Sequence, residues 1–251
     1  MFKKIVLAAT VLLGCCGMAK APEKEITVYL IGDSTCAVKK ESVRPETGWG
    51  EKLGQHFKKG VVVDNRALNG RSSKSFRNEG RWKEVLETLR PGDFVFIQFG
   101  HNDQSRHKPE RFSDPETFGK NLTLYIEETR AKGAVPVLLT SIARRKFDAQ
   151  DKPVDSHKNY MQITRRVAEQ TGTPLIDMDV KTRALLEKMG PEASKNIYLW
   201  AKKSDYPNLK EDKRDDTHLN AAGAEKYAQI VADGIRELKL EPLAGKLRKI
   251  K

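Results

Sequence analysis

Five short apolar runs, at residues 26–32, 61–63, 94–99, 135–139 and 174–176, set the strongest limit on how this chain can fold. They are nearly continuous in apolar residues rather than alternating, which is the pattern of strands buried on both faces. Between and after them lie segments with helical periodicity, at 50–58, 82–89, 115–132, 156–170 and 221–238. The second stops at Arg90-Pro91-Gly92, the third ends on Gly133 and the fourth on Gly172, residues that stop or cap helices. Strand, helix, strand, helix repeated predicts βαβ units and a parallel sheet with helices on both faces. With 251 residues and neither an internal repeat nor a low-complexity linker, a single domain over 22–251 is expected.

Residues 1–21 stand apart from that pattern. Met1-Phe2-Lys3-Lys4 is a basic start, and 5–13 is an apolar run too short to span a membrane. This reads as a signal peptide, so the protein is expected to be exported, to a periplasm or a cell surface. Leu12-Leu13-Gly14-Cys15 resembles a bacterial lipobox, with cleavage before Cys15 and a lipid anchor on it. The rival cut follows Ala19-Lys20-Ala21, although Pro22 would hinder the protease there. Cys15 and Cys16 lie in or beside the signal, which leaves Cys36 as the only thiol of the mature body and excludes an internal disulfide. Its expected role is that of a small buried hydrophobe.

The formal charge of +12 favours anionic partners. Nucleic acid, a membrane surface and an acidic polysaccharide all qualify, and export argues against the first. Contact with a membrane is expected only through an anchor at Cys15, and a monomer is favoured.

Four polar blocks follow one another along the chain. Gly32-Asp33-Ser34 ends the first strand, Asn69-Gly70-Arg71-Ser72 follows the second, and Gly100-His101-Asn102-Asp103 follows the third. Asp215-Asp216-Thr217-His218-Leu219-Asn220 precedes the last helical segment. Each alone reads as a turn or a helix cap. Three of them close consecutive strands, which brings them to the carboxyl edge of a parallel sheet, where ligands bind. Two long loops, 65–78 and 142–155, belong to the same edge, and a third irregular stretch, 190–217, leads to the last helix.

The residue types fit nucleophilic catalysis. A serine hydroxyl needs a base, and a histidine suits neutral pH. Ser34 is the candidate nucleophile, His218 the base, and Asp215 the acceptor that orients the imidazole. The N–H groups of Ser34 and Gly70 and the side-chain amide of Asn102 are candidate donors to an oxyanion. No Gly-x-Ser-x-Gly elbow occurs, so the common α/β-hydrolase arrangement is excluded.

Taken together, these blocks resemble the GDSL, or SGNH, hydrolase superfamily. Within it, Ile31-Gly32-Asp33-Ser34-Thr35, Asn69-Gly70-Arg71-Ser72, Phe99-Gly100-His101-Asn102-Asp103, Ala143-Arg144-Arg145 and Asp216-Thr217-His218-Leu219-Asn220 resemble the rhamnogalacturonan acetylesterase family. The likeness covers about 26–238. It implies a flavodoxin-like three-layer α/β/α sandwich with a five-stranded parallel sheet. It also implies removal of acetyl groups from a pectic backbone through an acetyl-enzyme, without metal or other cofactor. Ser34 matches the family's nucleophile, His218 its base, Asp215 its third member, and Gly70 and Asn102 its oxyanion donors. The family spacing selects Asp215 over the adjacent Asp216.

An acidic pectic substrate would give the positive charge a use. Arg71, Arg144 and Arg145 are candidate partners for its carboxylates, and His101 is a candidate substrate contact. His56, His107 and His157 join no constellation in the sequence, and no His-Glu-x-x-His or Cys-x-x-Cys pair suggests a metal. Asn121-Leu122-Thr123 matches a glycosylation sequon, which carries little weight behind a bacterial signal. The rival readings are an esterase of another acetylated polysaccharide such as xylan, a lipase or arylesterase of the same superfamily, and a surface carbohydrate-binding lipoprotein without activity. Charged rather than apolar loops disfavour a lipid substrate.

Overall fold

All five apolar runs become strands of one parallel sheet in the structure, a computed structural model that describes residues 25–157 and 159–249. The expected signal peptide at 1–21, both candidate cleavage sites and Cys15 lie outside the described residues. The chain runs β1 (Ile26–Gly32), α1 (Gly50–Leu53), β2 (Val61–Asn65), α2 (Ser73–Asn78), α3 (Arg81–Thr88), β3 (Phe94–Gln98), α4 (Pro115–Ala131) and β4 (Val135–Leu139). It continues through α5 (Tyr160–Thr171), β5 (Leu175–Ile176), α6 (Met178–Ala193), β6 (Tyr198–Ala201), β7 (Lys213–Leu219) and α7 (Ala221–Glu237). The order in the main sheet is β2-β1-β3-β4-β5, all parallel, the flavodoxin-like arrangement.

Burial on both faces explains the continuous apolar runs. Val28, Leu30, Phe94 and Phe96 point into one core, with Trp49, Leu53, Leu186, Tyr227 and Ile235 from α1, α6, α7 and the turn before α1. Their strand neighbours Tyr29, Ile31, Val95 and Ile97 point into the other, against Phe76, Trp82, Phe118, Tyr125 and Met161 from α2 to α5. The result is a three-layer α/β/α sandwich. Cys36 is fully buried in the first core, and burial pushes its thiol up.

Helix ends follow the sequence signals. Asp114 caps α4 by accepting from the Glu116 and Thr117 N–H groups, with Pro115 in the first turn. Gly172 closes α5 in the left-handed region.

Four segments differ from the sequence expectation. The loop at 65–78 contains α2, whose Ser72 cap and Ser75 form a reciprocal capping box. A helix, α6, follows the fifth strand where no helix is expected, and α5 begins at Tyr160 rather than 156. The stretch 190–217 is not wholly irregular, because β6 and β7 pair there as an antiparallel ribbon. Among the described residues no helix is long and apolar enough to cross a membrane.

Candidate active site

From β1 the chain goes to β2 on one side and returns to β3 on the other. A crevice therefore opens beyond the carboxyl ends of β1 and β3, the place where open α/β sheets bind ligands. Ser34 lies two residues past β1, and His101 and Asn102 lie just past β3.

The turn that carries Ser34 is built from the buried groups around it. Asp33 Oδ1 accepts from Thr35 N and Thr35 Oγ1, both at 2.8 Å. The Asp33 carbonyl accepts from Cys36 N and Ala37 N. Trp49 Nε1 donates to Gln98 Oε1 at the end of β3, and Thr35 Oγ1 lies 3.2 Å from the same oxygen. Burial pushes the Asp33 carboxyl up, and its Oδ2 has no partner among the described residues. Ser34 itself remains partly open.

Ser34 Oγ lies 2.8 Å from His218 Nε2, and His218 Nδ1 lies 2.7 Å from Asp215 Oδ2. Residues three apart on a regular strand face opposite ways. Here the ladder is broken: pairing passes from Leu199↔Asp215 to Tyr198↔Leu219, so 216–218 bulge out opposite a single step of β6. Asp215 Oδ1 closes the bulge by accepting from Thr217 N at 2.7 Å and His218 N at 3.0 Å. Its other oxygen is then left for the imidazole.

Asp216, the adjacent alternative, is committed elsewhere, accepting from Arg145 Nε at 2.6 Å and Trp200 Nε1 at 2.8 Å. Asn220 caps α7 through Gly223 N and also donates to Asn196 O and Tyr198 O, which fixes the block's far end.

The electrostatics follow from this wiring. Burial pushes Asp215 up, but the hydrogen bond and charge of His218 with the two N–H groups outweigh it and hold the carboxyl at about 2. Burial likewise pushes His218 down, but Asp215 and the nearby Glu46 outweigh it and lift the imidazole above its ordinary value. The arrangement can accept a proton from Ser34 at Nε2 while Nδ1–H stays bonded to Asp215.

The other blocks are tied to this centre. Gly70 takes φ +77°, a conformation that favours glycine, with the Arg111 guanidinium packed over it. Neither the Ser34 N–H nor the Gly70 N–H donates to another group among the described residues. Asn102 Nδ2 donates to Arg71 O at 3.0 Å, joining the second block to the third. Asp103 accepts from Ser73 N, Ser73 Oγ and Gly100 N, and burial pushes its carboxyl up to about 7.

Sequence reasoning missed Lys39 and Glu46. Lys39 is buried, and its Nζ donates to Ser34 O at 2.5 Å and Asn69 Oδ1 at 2.8 Å. It also pairs with Glu46 Oε1 at 2.7 Å, and that oxygen lies 4.0 Å from His218 Nε2. One ammonium thus links the Ser34 carbonyl, the Asn69 side chain beside Gly70, and a carboxylate that faces His218. Nothing distinguishes these two residues in sequence from the chain's many other Lys and Glu. Beside them a cavity of about 410 Å³ runs along His218, where the apolar Val43, Leu199 and Leu209 meet the charged and polar Glu46, Asn208 and Lys213.

The remaining candidates separate. Arg71 pairs with Glu79 at 2.9 Å, and Arg145 with Asp216. Arg144 Nη1 donates to Ser156 O at 3.0 Å and Ser156 Oγ at 3.3 Å. With the Gln104 amide turned so that Oε1 faces the guanidinium, Gln104 accepts from Arg144 at 3.1 and 3.2 Å.

His101 is buried, and its Nδ1 lies 2.8 Å from His157 Nε2. His157 therefore does join a constellation, contrary to the sequence expectation, whereas His56 Nε2 lies 3.2 Å from Glu225 Oε1 without a hydrogen bond. Asp155, His157 and Asp179 bring ligand atoms within 4.8 Å of one another. Asp179 is already held by Arg165 and Arg183, whose charges oppose a dication. Asn121 donates to buried Ser73 Oγ from within α4, which occupies the sequon's amide.

A sequence profile of the GDSL-like lipase/acylhydrolase family matches residues 30–226. The rhamnogalacturonan acetylesterase RhgT of Bacillus subtilis is 40% identical over 218 residues, which cover 87% of this chain and 93% of RhgT. The crystal structure of the Bacillus subtilis protein YxiM superposes with a TM-score of 0.75 at 26% identity over 88% of this chain, which spans 58% of that longer protein. A catalytic mutant of Axe2, an acetylxylan esterase of Geobacillus stearothermophilus, superposes with a TM-score of 0.61 at 20% identity. That overlap covers 90% of this chain and 98% of Axe2, and speaks for the fold alone.

Proposed function

The chain belongs to the GDSL-like lipase/acylhydrolase family and is a carboxylic ester hydrolase, and we propose that it removes O-acetyl groups from a rhamnogalacturonan-type pectic polysaccharide through an acetyl-enzyme on Ser34. The observation that carries this reading is the unbroken line from Asp215 Oδ2 through His218 to Ser34 Oγ, at 2.7 and 2.8 Å. The likeness to RhgT over nearly the whole of both chains supports the substrate.

In this reading Ser34 Oγ attacks the acetyl carbonyl carbon as its proton passes to His218 Nε2. Charge collects on the carbonyl oxygen, which the Ser34 and Gly70 N–H groups and the Asn102 amide stabilise. Collapse of the intermediate breaks the bond to the sugar oxygen, which leaves with the proton from His218. Water, deprotonated by the same imidazole, then attacks the acetyl carbon; the bond to Ser34 Oγ breaks, His218 returns the proton to Ser34, and acetate departs. Asp215 holds the ring and stabilises its charged form throughout. Lys39 keeps the Ser34 turn and Asn69 in place behind the reacting atoms.

An assembled nucleophile, base and acid disfavour a binding protein without activity. The basic start and apolar run at 1–13 support export with a lipid anchor at Cys15, which incorporation of labelled palmitate, lost in Cys15→Ala, would test.

The function is tested by acetate release from acetylated rhamnogalacturonan, acetylated xylan and an aryl acetate, with wild type and Ser34→Ala. Preferred release from the pectic polymer, lost in the variant, is expected. Release confined to xylan or the aryl acetate would retain the esterase and overturn the pectic substrate.

A further inference from the structure

Three arginines at the carboxyl edge could meet an anionic substrate, and their surroundings rank them. Arg71 is neutralised by Glu79 and Arg145 by Asp216. Arg144 is bonded only to neutral oxygens, those of Ser156 and Gln104, with no carboxylate within 4.0 Å among the described residues. A cation withdrawn from water without a counter-ion is unfavourable, and such a site is completed by an anion. Burial pushes Arg144 down from its ordinary value, as expected of a guanidinium lacking an ionic partner.

Its position is beside the reaction centre. Arg144 attracts Asp33 and Asp215, and its field, added to burial, holds both His101 and His157 down. Three elements fix it: the loop after β4 that carries it, Gln104 two residues beyond Asn102, and Ser156 at the far end of the same loop. A guanidinium held on one side by neutral acceptors keeps a planar fork for a carboxylate on the other.

We propose that Arg144, positioned by Gln104 and Ser156, binds a uronate carboxylate of the polysaccharide close to the acetylated sugar. This rests on the pectic reading above. It makes the free carboxylate, rather than the acetyl group alone, the feature that separates a pectic substrate from a neutral acetylated one. The alternative is that Arg144 serves the oxyanion, in which case every acetyl ester would need it equally.

The experiment measures kcat/KM of wild type and Arg144→Gln on acetylated rhamnogalacturonan oligosaccharides with free carboxylates, on the same material methyl-esterified, and on an aryl acetate. For wild type, methyl esterification should lower kcat/KM by roughly 10- to 100-fold, the scale of a charge-assisted contact, mostly through KM. In Arg144→Gln the ratio of free acid to methyl ester should fall to about one, with a loss on the aryl acetate at least tenfold smaller than on the free acid. Equal loss on all three substrates would overturn the proposal in favour of a role at the oxyanion. A wild type indifferent to methyl esterification would overturn the carboxylate subsite alone, and needs no variant that folds. A wild type that hydrolyses only the aryl acetate would overturn the pectic reading and this proposal with it.

Discussion

Asp215 and His218 lie three residues apart on one strand, yet the carboxylate and the imidazole meet at 2.7 Å because the intervening residues bulge out of the β6–β7 ladder. The whole of Asp215 is spent on this geometry, one oxygen on the ring and the other on two N–H groups.

Asp215→Asn therefore removes the anion that lifts His218 and leaves an amide that favours the wrong tautomer. The expected outcome is a fall in kcat of roughly 10⁴-fold. The sign of the pH effect follows from the direction of the shift. His218 is raised in the folded protein and must be neutral to accept the Ser34 proton, so activity rises with pH through a limb above the ordinary histidine value. Without Asp215 that limb moves to lower pH. Glu46→Gln, which removes a smaller raising influence, should move it the same way by less. A pH profile of kcat/KM checks both.

Lys39→Met should act in the opposite direction on pH. Its charge lowers His218, so its loss moves the limb to higher pH. Ser34 O and Asn69 Oδ1 also lose their donor, and Glu46 loses its ion pair. A displacement of the nucleophile by a fraction of an ångström should cost kcat roughly 10- to 100-fold. A role confined to packing would lower Tm and leave the limb in place.

Gly70→Ala tests the second block. The added Cβ meets a φ of +77° and lies 3.0 to 3.2 Å from the Arg111 guanidinium. Stability should fall by about 1–2 kcal/mol from the left-handed conformation alone. Because the Gly70 N–H shifts with its peptide, kcat should fall about tenfold or more, up to the roughly 10²- to 10³-fold of a lost oxyanion donor. Thermal melts and kinetics on an aryl acetate separate the two effects.

Much of the main sheet was legible because strands buried on both faces leave uninterrupted apolar runs, as at 26–32 and 94–99. Three of the four blocks were legible because they close strands that the pattern already located, and the fourth because it directly precedes a predicted helix. The β6–β7 ribbon was not, since Lys213-Arg214-Asp215-Asp216-Thr217-His218-Leu219 is charged, half exposed and poor in strand-forming residues. What holds it is pairing with β6 and the Asp215 bulge, neither of which has a periodicity. Lys39 was hidden for a different reason. A buried lysine is rare, and its three acceptors come from Ser34, Glu46 and Asn69, which only the fold brings together. The contact between His101 and His157 spans 56 residues and is invisible for the same cause.

In the proposed reaction Ser34 carries the acetyl group between the two half-reactions. Rapid acid quench of wild type turning over an aryl acetate, followed by peptide mapping by mass spectrometry, tests it directly. An acetyl group on Ser34, formed in a burst and absent from Ser34→Ala, is the expected result. Turnover at an undiminished rate in Ser34→Ala, or an acetyl group accumulating on another residue, would contradict it.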